Sequence, residues 1–322
     1  MKKSLITKLA VVTSVILLGA SAQAQTLMYQ WNFDGGSGTT VTPNVATGGG
    51  GGLTLGGTGV YGGAGSGVSG AAGDLAFANT GTTYGTATGA GIAASTTADI
   101  NLGTLTAFTM TGWMKANGGF TAINGGGGAT TTFQRVFMIG AGTPDTGSAN
   151  SATLSLFNNF PSAAAQTNAI QLKLAGATLY NGPSGTDGAL SGNGSLNAFG
   201  SDWTFFAVTV DLTATANNVN FYLGNASSLN APITVTYTNN VGAAIGSIAF
   251  GTADGVALLN RANENRGLNG SGDDFRFYSG ALNAAGVSAV YSSANAVPEP
   301  VTMTMLGLGS LVGIMALRRR HR

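Results

Sequence analysis

The chain has 322 residues, of which 53 are glycine, only 8% are charged, none is cysteine and one is histidine, His321. Thiolate catalysis, thiolate metal sites, a Ser-His-Asp triad and a His-ligated zinc are therefore excluded from everything before the last two residues. The formal charge of +1 comes from the two ends: residues 25–296 carry six basic and eleven acidic side chains, a net charge of −5. Nucleic-acid binding needs clustered Lys and Arg, and this span has no such cluster.

The first 24 residues read as a secretory signal peptide. Lys2, Lys3 and Lys8 form a basic start, Leu9 to Leu18 a short apolar run, and Ala22-Gln23-Ala24 a small-x-small cleavage site after Ala24. Setting both ends aside, the remaining chain is long enough for one large β domain or two small ones. Gly, Ala, Thr, Ser and Asn punctuate short apolar runs, the pattern of an all-β protein with many turns.

Strands are expected at 27–33, 75–79, 107–116, 134–139, 152–157, 169–174, 203–212, 219–223, 233–237, 247–251 and 274–278. In the 203–212 stretch Phe206, Val208 and Val210 share one face, while Trp203, Phe205 and Ala207 share the other. Apolar residues on both faces point to a central strand with both sides covered. The Gly-rich stretches 48–73 and 118–128 read as flexible surface loops. The second lacks the Lys-Ser/Thr ending of a phosphate-binding loop.

A short helix is expected over 283–291. Asn283 is the N-cap, and Val287, Val290 and Tyr291 form an i, i+3, i+4 stripe. Residues 292–296 read as a linker. The chain ends in Val297-Pro298-Glu299-Pro300, an uncharged apolar run from Val301 to Leu317, and Arg318, Arg319, Arg320 and Arg322. As a helix that run spans about 25 Å, at the short end for a membrane span. The arginines would hold its C-terminus on the cytoplasmic side.

The tail resembles the PEP-CTERM sorting signal: a Pro-Glu-Pro motif (Pro298, Glu299, Pro300), an apolar helix and an arginine cluster (Arg318, Arg319, Arg320), in that order. The resemblance implies recognition of this 297–322 tail by a membrane-embedded exosortase and its removal near the Pro-Glu-Pro motif; the other reading is an ordinary C-terminal membrane anchor. The protein would pass the inner membrane transiently and reach the cell surface or an extracellular matrix.

Three segments of the middle resemble the LamG-like, concanavalin A-like jelly roll. They are YQWNFDGGSGTTVTPNVATGGG from Tyr29, FTMTGWMKA from Phe108 with DWTFFAVTVDLTATANNVNFYLGN from Asp202, and GDDFRFYSGALNAAGVSAVY ending at Tyr291. The resemblance implies a two-sheet antiparallel jelly-roll sandwich over 25–291, a short C-terminal helix, and first and last strands side by side. Gly286 stands where a capping Glu is common, so the helix is expected to be weak.

The same resemblance implies a structural calcium site at Asp34 and Asp273, with Asp274 beside them; carboxylates and turn carbonyls are the oxygens Ca²⁺ takes. The other reading has Asp34 capping a turn and Asp273 or Asp274 paired with Arg276 or Arg266. In a regular strand Asp273 and Asp274 would face opposite ways, and the span has no paired-glutamate motif, so no catalytic residue is assigned. Trp31, Trp113 and Trp203 read as core, while Tyr61, Tyr84 and Tyr180 are candidates for exposed sugar stacking. The functional expectation is a non-enzymatic surface or matrix protein binding glycan or exopolysaccharide. A structural or adhesive spacer is the alternative, and an atypical polysaccharide hydrolase the third.

Overall fold

The computed structural model describes residues 25–35, 41–46, 50–79, 92–117, 132–141, 150–158, 169–175, 180–181, 189–191, 195–196, 199–239, 241–251, 254–261 and 267–295. The described residues form a two-sheet antiparallel sandwich of jelly-roll type, with one helix after the last strand.

The first sheet runs in the order β16 (Ile233–Val235), β15 (Val219–Asn225), β14 (Thr204–Asp211), β8 (Ala107–Ala116), β20 (Gly270–Ser279), β5 (Phe77–Asn79) and β4 (Gly59–Tyr61). The opening strand β1 (Thr26–Trp31) also pairs with β20. The second sheet runs β13 (Ala189–Leu190), β11 (Ala169–Ala175), β10 (Ser151–Asn158), β9 (Thr132–Ala141), β19 (Asp254–Leu258), β6 (Ile92–Ile100), β3 (Leu53–Gly56) and β2 (Val41–Thr42). Two short pairs complete the set: β7 (Gly103–Leu105) with β18 (Ile248–Gly251), and β12 (Tyr180–Asn181) with β17 (Thr238–Asn239).

Alternation explains the inner face. Phe206, Val208 and Val210 of β14 enter the core between the sheets, where Phe206 meets Phe275 of β20 with ring centroids 6.0 Å apart. Phe275 in turn meets Phe137 of the second sheet at 5.7 Å, and Phe137 meets Trp31 at 6.1 Å. Burying each such ring contributes about 2 kcal/mol or more. Trp31 is fully buried and donates its indole N–H to the Gly51 carbonyl at 2.7 Å, which satisfies its one polar atom.

The opposite face of β14 is buried too, as its apolar pattern requires. Phe205, Ala207 and Trp113 lie under α1 (Ala284–Asn295), which contributes Val287, Val290 and Tyr291. Asn283 caps this helix by accepting from the Gly286 amide at 2.9 Å. The helix runs on to Asn295, through the segment expected to be a linker.

Two expectations are corrected. The Gly-rich stretch 48–73 is not merely loop: it carries β3 and β4, and Leu53 and Leu55 alternate into the core. Tyr61 is half-buried and packs edge-on to Phe33 at 6.5 Å rather than standing free for stacking. Trp31 and Trp113 are core, as expected, while Trp203 is half-buried with the Lys115 ammonium 4.6 Å over its ring. The 118–128 stretch, Tyr84, Arg266 and the side chain of Tyr180 lie outside the described residues.

Candidate functional site

The last strand changes partner along its length. Near its start, Ser271 and Gly272 pair with Ala78 and Phe77 of β5; further on, Phe275 to Ser279 pair with β1. Between these two pairings β20 bulges against β8, from Asp273 to Arg276, and Asp274 takes a left-handed backbone with φ 47°. β1 and β5 therefore splay apart at this point, and the loops leaving them flank a cleft of ≈ 370 Å³.

The turn after β1 supplies one wall. Phe33 is fully buried at φ 57° against Phe77 and Phe275, which anchors the turn. Asn32 and Asp34 on either side of it line the cleft. The Asp34 carboxylate accepts from the Leu75 amide at 3.1 Å and from Asn32 Nδ2 at 2.6 Å.

The loop before β5 supplies the second wall with Ser69 and Asp74. The Ser69 amide donates to Asp74 at 2.5 Å, and Gly67 lies so close that a Cβ there would collide with the Asp74 carboxylate. Asp34 and Asp74 line the same cleft, and the Asp74 charge is one of the causes that raise the Asp34 carboxyl.

The bulge forms the floor. Asp273 accepts from the Val68 amide at 3.1 Å and from the Asp274 amide at 2.7 Å. Asp274 accepts from Gln30 Nε2 at 2.7 Å and takes a two-pronged contact from Arg276, at 2.9 and 2.6 Å. The expectation that Asp273 and Asp274 face opposite ways is overturned: the bulge and the left-handed Asp274 put both on one cleft. The expected ion pair to Arg276 is present, through Asp274.

Four carboxyl groups thus line a cleft with one guanidinium, which pairs with Asp274 alone, and the electrostatics reflect the crowding. Burial, then the nearby Asp74, pushes Asp273 well above the usual carboxylate value of 3.8. Asp274 is raised by burial, with Arg276 pulling the other way. Asp34 is raised by partial burial and by Asp74 and Asp274, against the Leu75 amide. Asn32 Oδ1 is buried in the same place with no hydrogen-bond partner among the described residues.

Sequence reasoning named Asp34 and Asp273, and the structure brings them to one cleft. It missed Asp74, which sits in a loop with no local motif and reaches the site only through the packing of β5 on β20. Among the described residues, no three acidic, His or Cys side chains are arranged as a ready-made metal cage. The sorting residues Pro298, Glu299, Pro300, Arg318, Arg319 and Arg320, and the cleavage-site residues Ala22 and Ala24, lie outside the described residues. So does the apolar run 301–317; among the described residues no helix is long and apolar enough to cross a membrane.

Residues 296–320 match the PEP-CTERM protein-sorting motif, which marks the chain for export. No curated protein matches the chain. Among solved structures, domain 4 of the extracellular arabinanase AbnA from Geobacillus stearothermophilus, in complex with arabinotriose, is 16% identical with a TM-score of 0.49; the match covers 84% of this chain and 100% of that one. The binding domain of botulinum neurotoxin serotype D/C is 11% identical with a TM-score of 0.46, over 84% of this chain and 52% of that one. The binding domain of Paraclostridial mosquitocidal protein 1 is 11% identical with a TM-score of 0.44, over 83% and 52%. The chain thus matches only about half the length of these toxin domains, and the fold rests on the strand pairing itself.

Proposed function

We propose that this chain is an exported, non-catalytic β-sandwich protein of the cell surface or matrix, processed at its C-terminal sorting motif by an exosortase, whose aspartate cleft binds a divalent cation, calcium, and with it the hydroxyls of a glycan. The observation that carries the reading is the gathering of Asp34, Asp74, Asp273 and Asp274 around one cleft, beside the partnerless Asn32 Oδ1. Carboxyls crowded into one partly buried cleft either hold protons or gather a cation. Asp34, Asp74 and Asn32 would supply the cation's protein oxygens, and turn carbonyls and water the rest. Asp273 and Asp274 are committed to backbone amides, Gln30 and Arg276, and act as the charged floor.

The same commitments argue against hydrolysis. A glycosidase needs one carboxyl free to give a proton and another free to attack or activate water. Neither Asp273 nor Asp274 is free in that sense. Among the described residues no aromatic side chain lines the cleft, so sugar recognition there would run through hydroxyl contacts rather than stacking.

The test is calcium titration of the purified protein, following thermal unfolding, with Asp34→Ala as the control. A ligand that binds only the folded state adds about 2.7 kcal/mol at a hundredfold its dissociation constant. A shift that the variant loses supports the cation site; no shift leaves Asp34 a turn cap. Retention on immobilised matrix polysaccharide, released by chelator and by competing sugar, supports the glycan reading. A calcium shift without retention points instead to a structural spacer.

A further inference from the structure

Asn-x-Ser/Thr, with x other than proline, is the pattern at which the side-chain amide of an exported chain accepts a glycan. Residues 25–296 contain it three times: Asn193-Gly194-Ser195, Asn225-Ala226-Ser227 and Asn269-Gly270-Ser271. The pattern does not choose among them, but the fold does. Asn193 lies outside the described residues. The Asn269 segment runs directly into β20, where Gly270 and Ser271 are buried and pair with Ala116 and Lys115. A Cβ on Gly270 would collide with the Lys115 carbonyl, and the Asn269 carboxamide oxygen accepts from Asn117 Nδ2 at 3.2 Å. An enzyme that must surround its acceptor cannot reach that segment without opening the sheet.

Asn225 is placed differently. β15 ends there, Gly224 and Leu229 bridge, and residues 225–228 turn the chain toward β16. All four turn residues are exposed. The Asn225 amide donates to the Ser228 carbonyl at 2.9 Å. Its Oδ1 accepts from the Ser227 and Ser228 amides at 2.8 and 2.9 Å, so the side chain folds over its own turn. Among the described residues, the bonds of this carboxamide all go to its oxygen, which leaves Nδ2 uncommitted. The turn also stands on a fixed base, because the Tyr291 hydroxyl donates to the Asn225 carbonyl at 2.7 Å.

We infer that Asn225 is an N-glycosylation site of the exported chain. The donor is a glycan linked to a polyprenyl diphosphate. Nδ2 attacks C1 of its first sugar and an N–C bond forms. The C1–O bond breaks, its electron pair leaves with the polyprenyl diphosphate, and Nδ2 gives one of its two protons to a base of the transferring enzyme. An attached glycan stands at the turn into β16, the edge strand of the first sheet, where its bulk hinders edge-to-edge pairing with another chain. The inference rests on export of the chain, not on the cation cleft.

The full-length protein tests it, recovered from its native exporting cells as wild type, Ser227→Ala and Asn225→Gln, and read by intact mass and peptide mass. The wild type should carry a glycan on the peptide holding Asn225 and none on Asn269. Both variants should lose it. Ser227→Ala leaves the attacking amide in place, so loss there shows recognition of the pattern rather than reactivity of any exposed amide. A bare Asn225 in the wild type overturns the site, as does a glycan at Asn225 that survives Ser227→Ala. The intact mass also reads whether residues 1–24 have been removed, so a bare Asn225 on a processed chain fails the site and leaves export standing. A bare Asn225 on an unprocessed chain fails both.

Discussion

Arg276 folds back onto Asp274, two residues earlier on the same strand, with Nη2 2.6 Å from Oδ2 and Nε 2.9 Å from Oδ1. Their side chains are only 12% and 9% exposed. The contact neutralises one of the four carboxyls around the cleft, and Arg276 is the only basic residue among the described residues that line it. The remaining acids have no basic partner among the residues that line the cleft, and under the proposed function they are what a cation would meet.

Breaking this pair from one side should be costly. Asp274→Ala strands a mostly buried guanidinium and should destabilise the fold by about 3 kcal/mol. Replacing both partners, Asp274→Leu with Arg276→Met, should cost much less, because no uncompensated charge is left. Urea unfolding of the two variants against the wild type measures the difference.

The raised carboxyls set the pH dependence. Asp34, Asp273, Asp274 and the buried Asp254 all sit above 3.8 in the folded protein, the first three through the cleft and Asp254 through burial. The folded state therefore holds protons that the unfolded chain has released. Stability is fully present near pH 4 and below, and falls as pH rises from there through the folded values. With chelator present, the melting temperature should drop between pH 4 and neutrality. Saturating calcium should remove the part of that fall that Asp34 contributes, because the ion takes the place of its proton. A melting temperature that rises with pH in chelator would contradict the assignment.

Much of the fold is legible in the residues. The 107–116 stretch was expected as a strand and is β8 with the same ends, and the two apolar faces of 203–212 place β14 between core and helix. What stayed hidden has physical reasons. Leu53 and Leu55 alternate properly, yet the glycines around them dilute the signal. All five residues of β19 are buried, so it shows no alternation at all. The cleft was half legible: Asp34 and Asp273 followed from the family resemblance. Asp74 and the shared orientation of Asp273 and Asp274 depend on a strand exchange and a bulge that no local pattern announces. Asp273 meets the loop carrying Asp74 through Val68, 205 residues away in the chain.

The core between the sheets leaves no spare volume at Gly112. A Cβ there would sit 2.8 Å from a Phe275 ring carbon and 2.9 Å from one of Phe206. Both rings are fully buried, they pack on each other, and Phe275 also packs on Phe137 of the opposite sheet, so there is little room for either to swing clear. Gly112→Ala should cost about 1 to 3 kcal/mol as overpacking. Thermal unfolding checks it, and a neutral outcome would mean the two phenylalanines repack freely.

Asp74→Asn separates a cation site from a turn. In the absence of metal, the introduced side-chain amide would donate to Asp34 where a second carboxyl now crowds it, while its oxygen can still accept from the Ser69 amide. The metal-free variant should therefore melt higher than the wild type. The same change removes an anionic ligand, so the calcium-induced rise should be lost or much reduced. Opposite signs in the two conditions are the signature of carboxylates gathered for a cation. If the loop needs Asp74 only to hold Ser69, the substitution is near neutral with and without calcium. Melting curves at neutral pH, in chelator and in excess calcium, separate the two.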